Sequence, residues 1–408
     1  MACRYSGPQP PITMLREFLV LIVFSLTASL VWGHGLAPQP PKDESRKISF
    51  PDTADLKTLV FDPHTHSVFS DGHVWPKIRV GEALRDGLDA LAVTEHLEYQ
   101  PHIEDIPHPD RNRAFVETAE AAKYKDLLVV AGAEITRDLP AGHMNAIFLK
   151  DANKLYSVPN QGELKTTNEF RSAANEWPSQ SAVEAANEQG AFVFWNHSWW
   201  SRDFPNGIPV ITDFHKSNIR KGMLHGIEIA NGKNYSEDAF QIALDHNLAL
   251  IGVSDVHDLI DWDYEPHNGG HRPVTLVFAK ERTVESMREA LFDRRTVVWF
   301  KNWLMGRERD LQPLLEASLR LEDVGYRDGE ILSVTITNES DADFHLRNMS
   351  QHNLHQRAST FIVPQHSSEH LMVRTGETVD SVSLEFEVLN AFVAPNETAR
   401  LTLSAGVE

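Results

Sequence analysis

The sequence predicts an α/β domain on a largely parallel sheet, open or closed into a barrel, followed by a small antiparallel β domain. Between residues 57 and 305, short apolar runs alternate with helix-like stretches, the pattern of strands joined by crossover helices. Beyond 305 the period changes to two. Leu332, Val334 and Ile336, then Val382, Leu384, Phe386 and Val388, alternate with polar residues, as half-buried strands do. Five of the apolar runs end at their carboxyl side in His, Asp or Glu. In a parallel α/β sheet or barrel those ends converge on one face, where active sites sit.

Taken in order, Arg16 precedes 15 uncharged residues, Phe18–Trp32, with Val31 and Gly33 as a small-residue cleavage site. Residues 1–33 therefore read as an export signal and imply a secreted or periplasmic protein. The run falls short of the ~20 residues of a membrane-spanning helix, so no stable membrane contact is expected after cleavage. Met14 is a candidate start, because residues 1–13 do not resemble the charged head of a signal. Residues 34–56, rich in Pro, Lys, Asp and Ser, read as a tether. Strand-like runs follow at Thr58–Phe61, Ala90–Val93, Leu127–Ala131, Met144–Leu149, Ala191–Trp195, Leu224–Ile229, Leu248–Val253 and Val274–Phe278. Helical patterns lie at Ile78–Arg85, Asn112–Tyr124, Ser181–Glu188, Glu237–His246 and Val284–Phe292. The connections 150–180 and 254–272 are long, and long loops in compact domains are often functional. Residues 57–305 are read as the first domain and 306–408 as a β-sandwich domain with no helix of length.

Composition narrows the function. The chain has 408 residues, 41% of them apolar, and a formal net charge of −20. That charge, with no Lys/Arg run, argues against a nucleic-acid partner. The single cysteine, Cys3, lies within residues 1–33, ahead of the uncharged run, so the mature chain has neither a disulfide nor a thiolate ligand. There is no Gly-x-Ser-x-Gly elbow for a serine hydrolase. No P-loop or Gly-x-Gly-x-x-Gly follows a strand.

The donors are His and carboxylate. His64 and His66, in Asp62-Pro-His-Thr-His66, are two apart after a strand-like run, so both imidazoles can reach one ion. Asp71 follows across a turn. His96 ends the run 90–94, Glu134 the run 127–131, His197 the run 191–195, and Asp255 and His257 the run 248–253. His143 lies in the loop after Glu134, where only the fold can bring it in. His102, His108, His246 and His267 lack strand-end placement and read as surface or loop residues. Nine nitrogen and oxygen donors without sulfur suit Zn²⁺, Mn²⁺ or Fe²⁺. They are too many for one tetrahedral ion and fit two or three ions sharing a carboxylate.

These residues resemble the PHP (polymerase and histidinol phosphatase) superfamily. Its pattern is His-x-His with Ser-Asp-Gly, an acidic-His pair, Gly-x-Glu, two single histidines and a final Asp-x-His, and every position is filled. The resemblance covers about residues 57–300 and implies a distorted (β/α)₇ TIM-like barrel with up to three metals. It assigns His64, His66, Glu134 and Asp255 to a first ion. Glu134 bridges to a second, completed by His143 and His197, where some relatives use Cys. Asp71, His96 and His257 hold the third. The phrases 134–148 and 270–278, with the appended β domain, are similar to a secreted branch that includes phosphodiesterases. The function implied is hydrolysis of small phosphate esters, diesters foremost, by a metal-activated hydroxide. Glu134, His143 and Asp255 are the candidate catalytic residues. Arg137 and Arg272 are candidates for holding a phosphate oxygen, and Trp199 and Trp200 for an apolar wall. A phosphomonoesterase, a C–N hydrolase on the same cage, and a periplasmic binding protein without turnover remain as alternatives.

Overall fold

The computed structural model describes residues 47–158, 163, 164 and 166–407. The expected export signal, and the expected tether up to residue 46, lie outside them. Residues 47–56 are packed chain rather than a free tether. Ile48 and Phe50, the apolar pair in that polar stretch, are buried in the main core, and the Ile48 amide donates to the Asp86 carbonyl at 2.8 Å.

The barrel strands are β1 (Lys57–Asp62), β2 (Ala90–Val93), β3 (Leu128–Ile135), β4 (Met144–Ile147), β5 (Phe192–Trp195), β6 (Gly226–Asn231), β7 (Asn234–Tyr235), β8 (Ala249–Val253) and β9 (Val274–Ala279). Ladders run in the order β9-β1-β2-β3-β4-β5-β6, with β8 on β6. The gap between β8 and β9 is spanned by a side chain. The Thr275 hydroxyl accepts from the Gly252 amide (3.0 Å) and donates to its carbonyl (2.9 Å). The result is the expected distorted barrel.

Besides the two-residue β7, which folds back antiparallel on β6, two strands depart from the parallel pattern. β4 is antiparallel to β3 and β5, and β9 is antiparallel to β1. Parallel neighbours need a crossover of a dozen or more residues, and the loop 136–143 is too short for one, so β4 returns antiparallel. Its amino end therefore lies on the same rim as the carboxyl ends of its neighbours.

The expected helices appear as α1 (Pro76–Asp86), α2 (Arg113–Ala122), α4 (Ser179–Glu188), α6 (Glu237–Asp245) and α8 (Val284–Phe292). Others, unexpected, are α3 (Thr167–Asn175), α5 (Asp213–Arg220), the short α7 (Ile260–Tyr264) and α9 (Glu308–Ser318). α9 is hidden in the sequence by Pro313 within it, yet Leu311, Leu314, Leu315 and Ser318 give it a buried face. Inside the barrel, Leu59, Phe61, Ala92, Phe194, Ile251 and Val277 form one cluster with Met287 and Leu291 of α8. α8 thus plugs the end opposite the carboxyl rim, and its Arg288 donates to the Gly190 carbonyl just before β5.

After β10 (Thr296–Phe300) and β11 (Trp303–Gly306), the chain forms a sandwich. One sheet has the order β12-β13-β17-β15, from β12 (Leu319–Asp328), β13 (Ile331–Asn338), β15 (Asn353–Leu354) and β17 (Ser368–Arg374). The other contains β14 (Phe344–Asn348), β16 (Thr360–Val363), β18 (Ser381–Ala394) and β19 (Glu397–Gly406). β18 also pairs in parallel with β11, Leu304 opposite Ala391, so the sandwich is hydrogen-bonded to the barrel sheet. No helix among the described residues is long and apolar enough to cross a membrane.

Candidate metal centre

All nine donors named from the sequence meet at the carboxyl rim. β1 delivers His64 and His66, β2 His96, β3 Glu134, the start of β4 His143, β5 His197, and β8 Asp255 and His257. Asp71 arrives on a tight turn whose Gly72 has no room for a side chain: a Cβ there would lie 2.7–2.8 Å from backbone atoms of residues 66 and 67. Two of the donors have left-handed backbones, His197 at φ 25° and Asp255 at φ 50°. Non-glycine residues hold such φ where the surroundings over-determine them, commonly at functional sites.

The donor atoms fall into overlapping groups. His64 Nε2 and His66 Nε2 are 2.9 Å apart. Asp255 Oδ1 lies 3.2 and 3.0 Å from them, and Glu134 Oε2 3.3 and 3.4 Å. Donors sharing one cation at bond lengths of ~2.0–2.2 Å stand about 2.9–3.6 Å apart, depending on coordination number; His64, His66 and Glu134 do so mutually, and Asp255 does so with the two histidines. Glu134 then divides its carboxylate. Its Oε1 faces His143 Nδ1 at 2.8 Å and His197 Nε2 at 3.7 Å, the position of a bridging ligand. In the third group, Asp71 faces His96 Nε2 at 3.3 Å and His257 Nε2 at 3.2 Å. The groups touch: His96 Nδ1 is 3.0 Å from Glu134 Oε2, and His66 Nδ1 is 3.7 Å from Asp71.

Electrostatics make this cluster a cation site. Burial opposes ionisation throughout, yet neighbouring imidazoles hold Glu134 and Asp255 well below the carboxylate range. Asp255, Glu228 and Glu134 raise His64 well above the ordinary imidazole value, and Glu134 and Asp71 do so for His96. Burial, with His257 and His96 alongside, pushes His66 down to about 4. His257 rises against its burial to about 9 through its hydrogen bond to Asp71. Carboxylates and imidazoles this close need positive charge between them. Divalent cations supply it where protons otherwise must.

Neither arginine expected to hold phosphate points at the cluster. Arg272 is fully buried and pairs with Asp62 (3.1 Å) and Asp86 (2.7 Å), which hold its guanidinium against desolvation. It clamps the ends of β1 and α1 to the start of β9. Arg137 is buried, lies 3.0 Å from Glu98, and donates to the Ala174 carbonyl and Asn175 Oδ1, tying the 136–143 loop to α3. Both point away because buried carboxylates and carbonyls lie behind the rim. The open cavity of about 490 Å³ is lined instead by Asp71, His96, Glu134, His143, His197, Asp255 and His257, with Trp199, Trp200, Ser201, Asn231 and Asn234. The Trp200 ring stands 5.2 Å from His143 and 5.4 Å from His197.

Several supporting residues escaped the sequence reading. Glu228 on β6 is fully buried beneath His64. Its signal was a carboxylate inside the apolar run 224–229. Asn196 donates to Glu134 Oε1 (3.1 Å). Glu95 accepts from the Ser67 and Ser70 hydroxyls and shapes the turn that carries Asp71. His108, expected in a loop or at the surface, is buried against the Phe69 carbonyl and Gln100.

Comparison with known proteins gives a consistent pattern. A family model for an Ig-like domain matches residues 319–404. Most of the chain is similar to a two-domain protein of Bacteroides vulgatus, whose crystal structure is described as containing a predicted PHP-like metal-dependent phosphoesterase. Identity is 38%, over 88% of this chain and 99% of that one, with a TM-score of 0.78. A structure from Bifidobacterium adolescentis is 20% identical over 57% of this chain and 96% of its own, but its TM-score of 0.37 carries no weight. An uncharacterized protein of Methanocaldococcus jannaschii is 35% identical over 81 residues, 20% of this chain. The match spans only 35% of that curated relative's length.

Proposed function

Because the chain belongs to the PHP-like metal-dependent phosphoesterases, we propose that it hydrolyses small phosphodiesters with two or three divalent ions, Mn, Zn or Fe, at the rim. His64, His66, Glu134 and Asp255 would hold the first, Glu134, His143 and His197 the second, and Asp71, His96 and His257 the third. Bound there, the ions supply charge for phosphoryl oxygens and lower the pKa of an attacking water.

The remaining steps belong to the chain. Glu134, His143 and Asp255 border the cavity and face the reacting group. Glu134 keeps its two oxygens on different donor groups, fixing the spacing between them. Asn234, on the cavity wall, offers an amide donor to a phosphate oxygen. Trp199 and Trp200 form the wall against which an ester substituent packs and from which water is displaced.

The preference for a diester rests on one observation: among the described residues, no Lys or Arg lines this cavity. A monoester dianion calls for a cationic side chain beyond the metals, and arginine is the usual device. A diester carries one negative charge and an extra organic group, which suits a neutral amide and two indoles. In this reading residues 57–305 carry the chemistry and 306–408 form the attached β domain. Export from the cytoplasm is supported by the sequence alone, through the uncharged run behind Arg16.

The test is kcat/KM for bis-p-nitrophenyl phosphate against p-nitrophenyl phosphate, before and after chelation. We expect the diester to lead by at least about tenfold, equivalent to ~1.4 kcal/mol in the barrier, and both rates to fall on chelation. A lead for the monoester would overturn the diester preference. Tight metal binding without turnover on any ester would favour a binding protein.

A further inference from the structure

We infer that Glu228 is a positioning residue of the metal centre, the single side chain that sets the tautomer of His64, the backbone of His197 and, through Asn231, the orientation of Asp255. The inference rests on the reading that the rim binds divalent ions.

Glu228 lies within β6 with no exposed surface. A carboxyl group in such a place is expensive unless its lone pairs are occupied. Here they are occupied by parts of the metal site. Oε1 lies 2.7 Å from His64 Nδ1. Oε2 accepts the His197 amide at 2.6 Å and Asn231 Nδ2 at 2.9 Å. The same Asn231 Nδ2 also donates to Asp255 Oδ2 at 3.0 Å, leaving Oδ1 turned toward His64 and His66. One carboxyl group therefore reaches three of the nine donors.

The chemistry of each contact is directional. A backbone amide and an Asn NH₂ can only donate, so Oε2 must accept. His64 must present a bare Nε2 to the ion, because Nε2 is the atom facing His66, Glu134 and Asp255. A bare Nε2 in a neutral ring puts the proton on Nδ1, where Glu228 Oε1 receives it. A partner that orients a metal-bound histidine in this way typically accounts for 10- to 100-fold in metal affinity. The His197 contact adds a second role. With φ at 25°, that backbone sits outside the ordinary helical and strand regions, and the bond from its amide to Glu228 is what fixes it.

Glu228→Gln tests this because it keeps the shape and breaks the logic. The glutamine amide has one acceptor oxygen. If the oxygen faces His64, the NH₂ meets two donors, the His197 amide and Asn231. If it faces them, the NH₂ donates to His64 Nδ1 and forces the proton onto Nε2. The experiment is zinc and manganese affinity of the full chain, by competition with a chromophoric chelator, for wild type, Glu228→Gln and Glu228→Asp. It is paired with long-range ¹H–¹⁵N spectra of His64 in the zinc-loaded wild type. We expect Glu228→Gln to weaken the tightest-held ion by about 10- to 100-fold with its circular dichroism unchanged. Glu228→Asp, which keeps two acceptor oxygens, should recover part of the loss. In the wild type, a slowly exchanging Nδ1–H and a metal-bound Nε2 are expected.

Wild-type affinity in a folded Glu228→Gln, or a His64 ring bound through Nδ1, would overturn the inference. Should Glu228→Gln not fold, the His64 spectrum of the wild type decides alone. A wild-type chain that binds no divalent ion overturns both this inference and the metal-centre reading. Affinity retained in Glu228→Gln overturns only the role of Glu228.

Discussion

The histidines of the barrel rim and those of its outer wall are the same side chain in two physical situations. On the wall, His215 is buried, stacks on Trp195 at 3.9 Å, receives the Thr212 amide on Nδ1 and donates Nε2–H to the Ala141 carbonyl. His225 likewise accepts the Val193 amide and donates to the Gly222 carbonyl. Each wall ring is satisfied as a neutral imidazole by backbone and hydroxyl groups alone. On the rim, His64, His66, His96, His143, His197 and His257 face carboxylate oxygens and one another, and His64 and His96 meet carboxylates on both ring nitrogens, which a neutral ring with one N–H does not satisfy. Burial alone does not mark a functional histidine. A mark is whether the polypeptide completes its hydrogen bonding or leaves that to a cation.

Arg272 is where this contrast is easiest to break, because it is a charged residue near the rim that we place with the structural groups. Arg272→Met leaves Asp62 and Asp86 buried without their cation, and breaking such a pair typically costs about 3–5 kcal/mol. Urea unfolding should show that loss, while kcat/KM per folded molecule stays within a few-fold of wild type. A raised KM at unchanged stability would return Arg272 to the substrate-binding role that the sequence suggested.

The wall histidines sharpen the contrast with a smaller effect. Burial lowers His215 to about 4, against the pull of its bond to Ala141. Its ordinary value near 6.5 applies in the unfolded chain, which therefore binds more protons across this range, so stability rises with pH. The contribution is full above about pH 6.5 and is lost as pH falls toward 4. At ~1.4 kcal/mol per unit it amounts to ~3 kcal/mol at most. The denaturation midpoint should fall between pH 7.5 and 5, and fall less in His215→Gln. Parallel profiles for the two proteins would show that His215 does not titrate as described.

Much of the site was legible because strand ends are legible. His64, His66, His96, Glu134, His197, Asp255 and His257 each follow an apolar run, and the barrel gathers those ends whatever the details of the helices. His143 was harder. Its place depends on β4 running antiparallel, which follows from a short loop rather than from any property of the histidine. Glu228 was passed over because one acidic residue in an apolar run looks like a strand residue, and its partners lie at other strand ends. Arg137 and Arg272 misled for the opposite reason. Position along the chain put them near ligands, while direction was set by Glu98, Asp62 and Asp86, whose burial the sequence does not display. In the second domain the period of two was enough to find the strands. It could not reveal α9, where Pro313 obscures the pattern, or the parallel pairing of β18 with β11 that joins the sandwich to the barrel sheet.

The central claim is that the nine rim donors form one site for several cations bridged by Glu134. Elemental analysis of the full chain after reconstitution, for wild type and Glu134→Gln, tests it most directly. We expect two or three divalent ions per wild-type chain, and a loss of more than one in a folded Glu134→Gln, because that carboxylate belongs to two donor groups at once. A folded wild-type chain that retains no divalent ion, or a Glu134→Gln variant that retains its full complement, would contradict it.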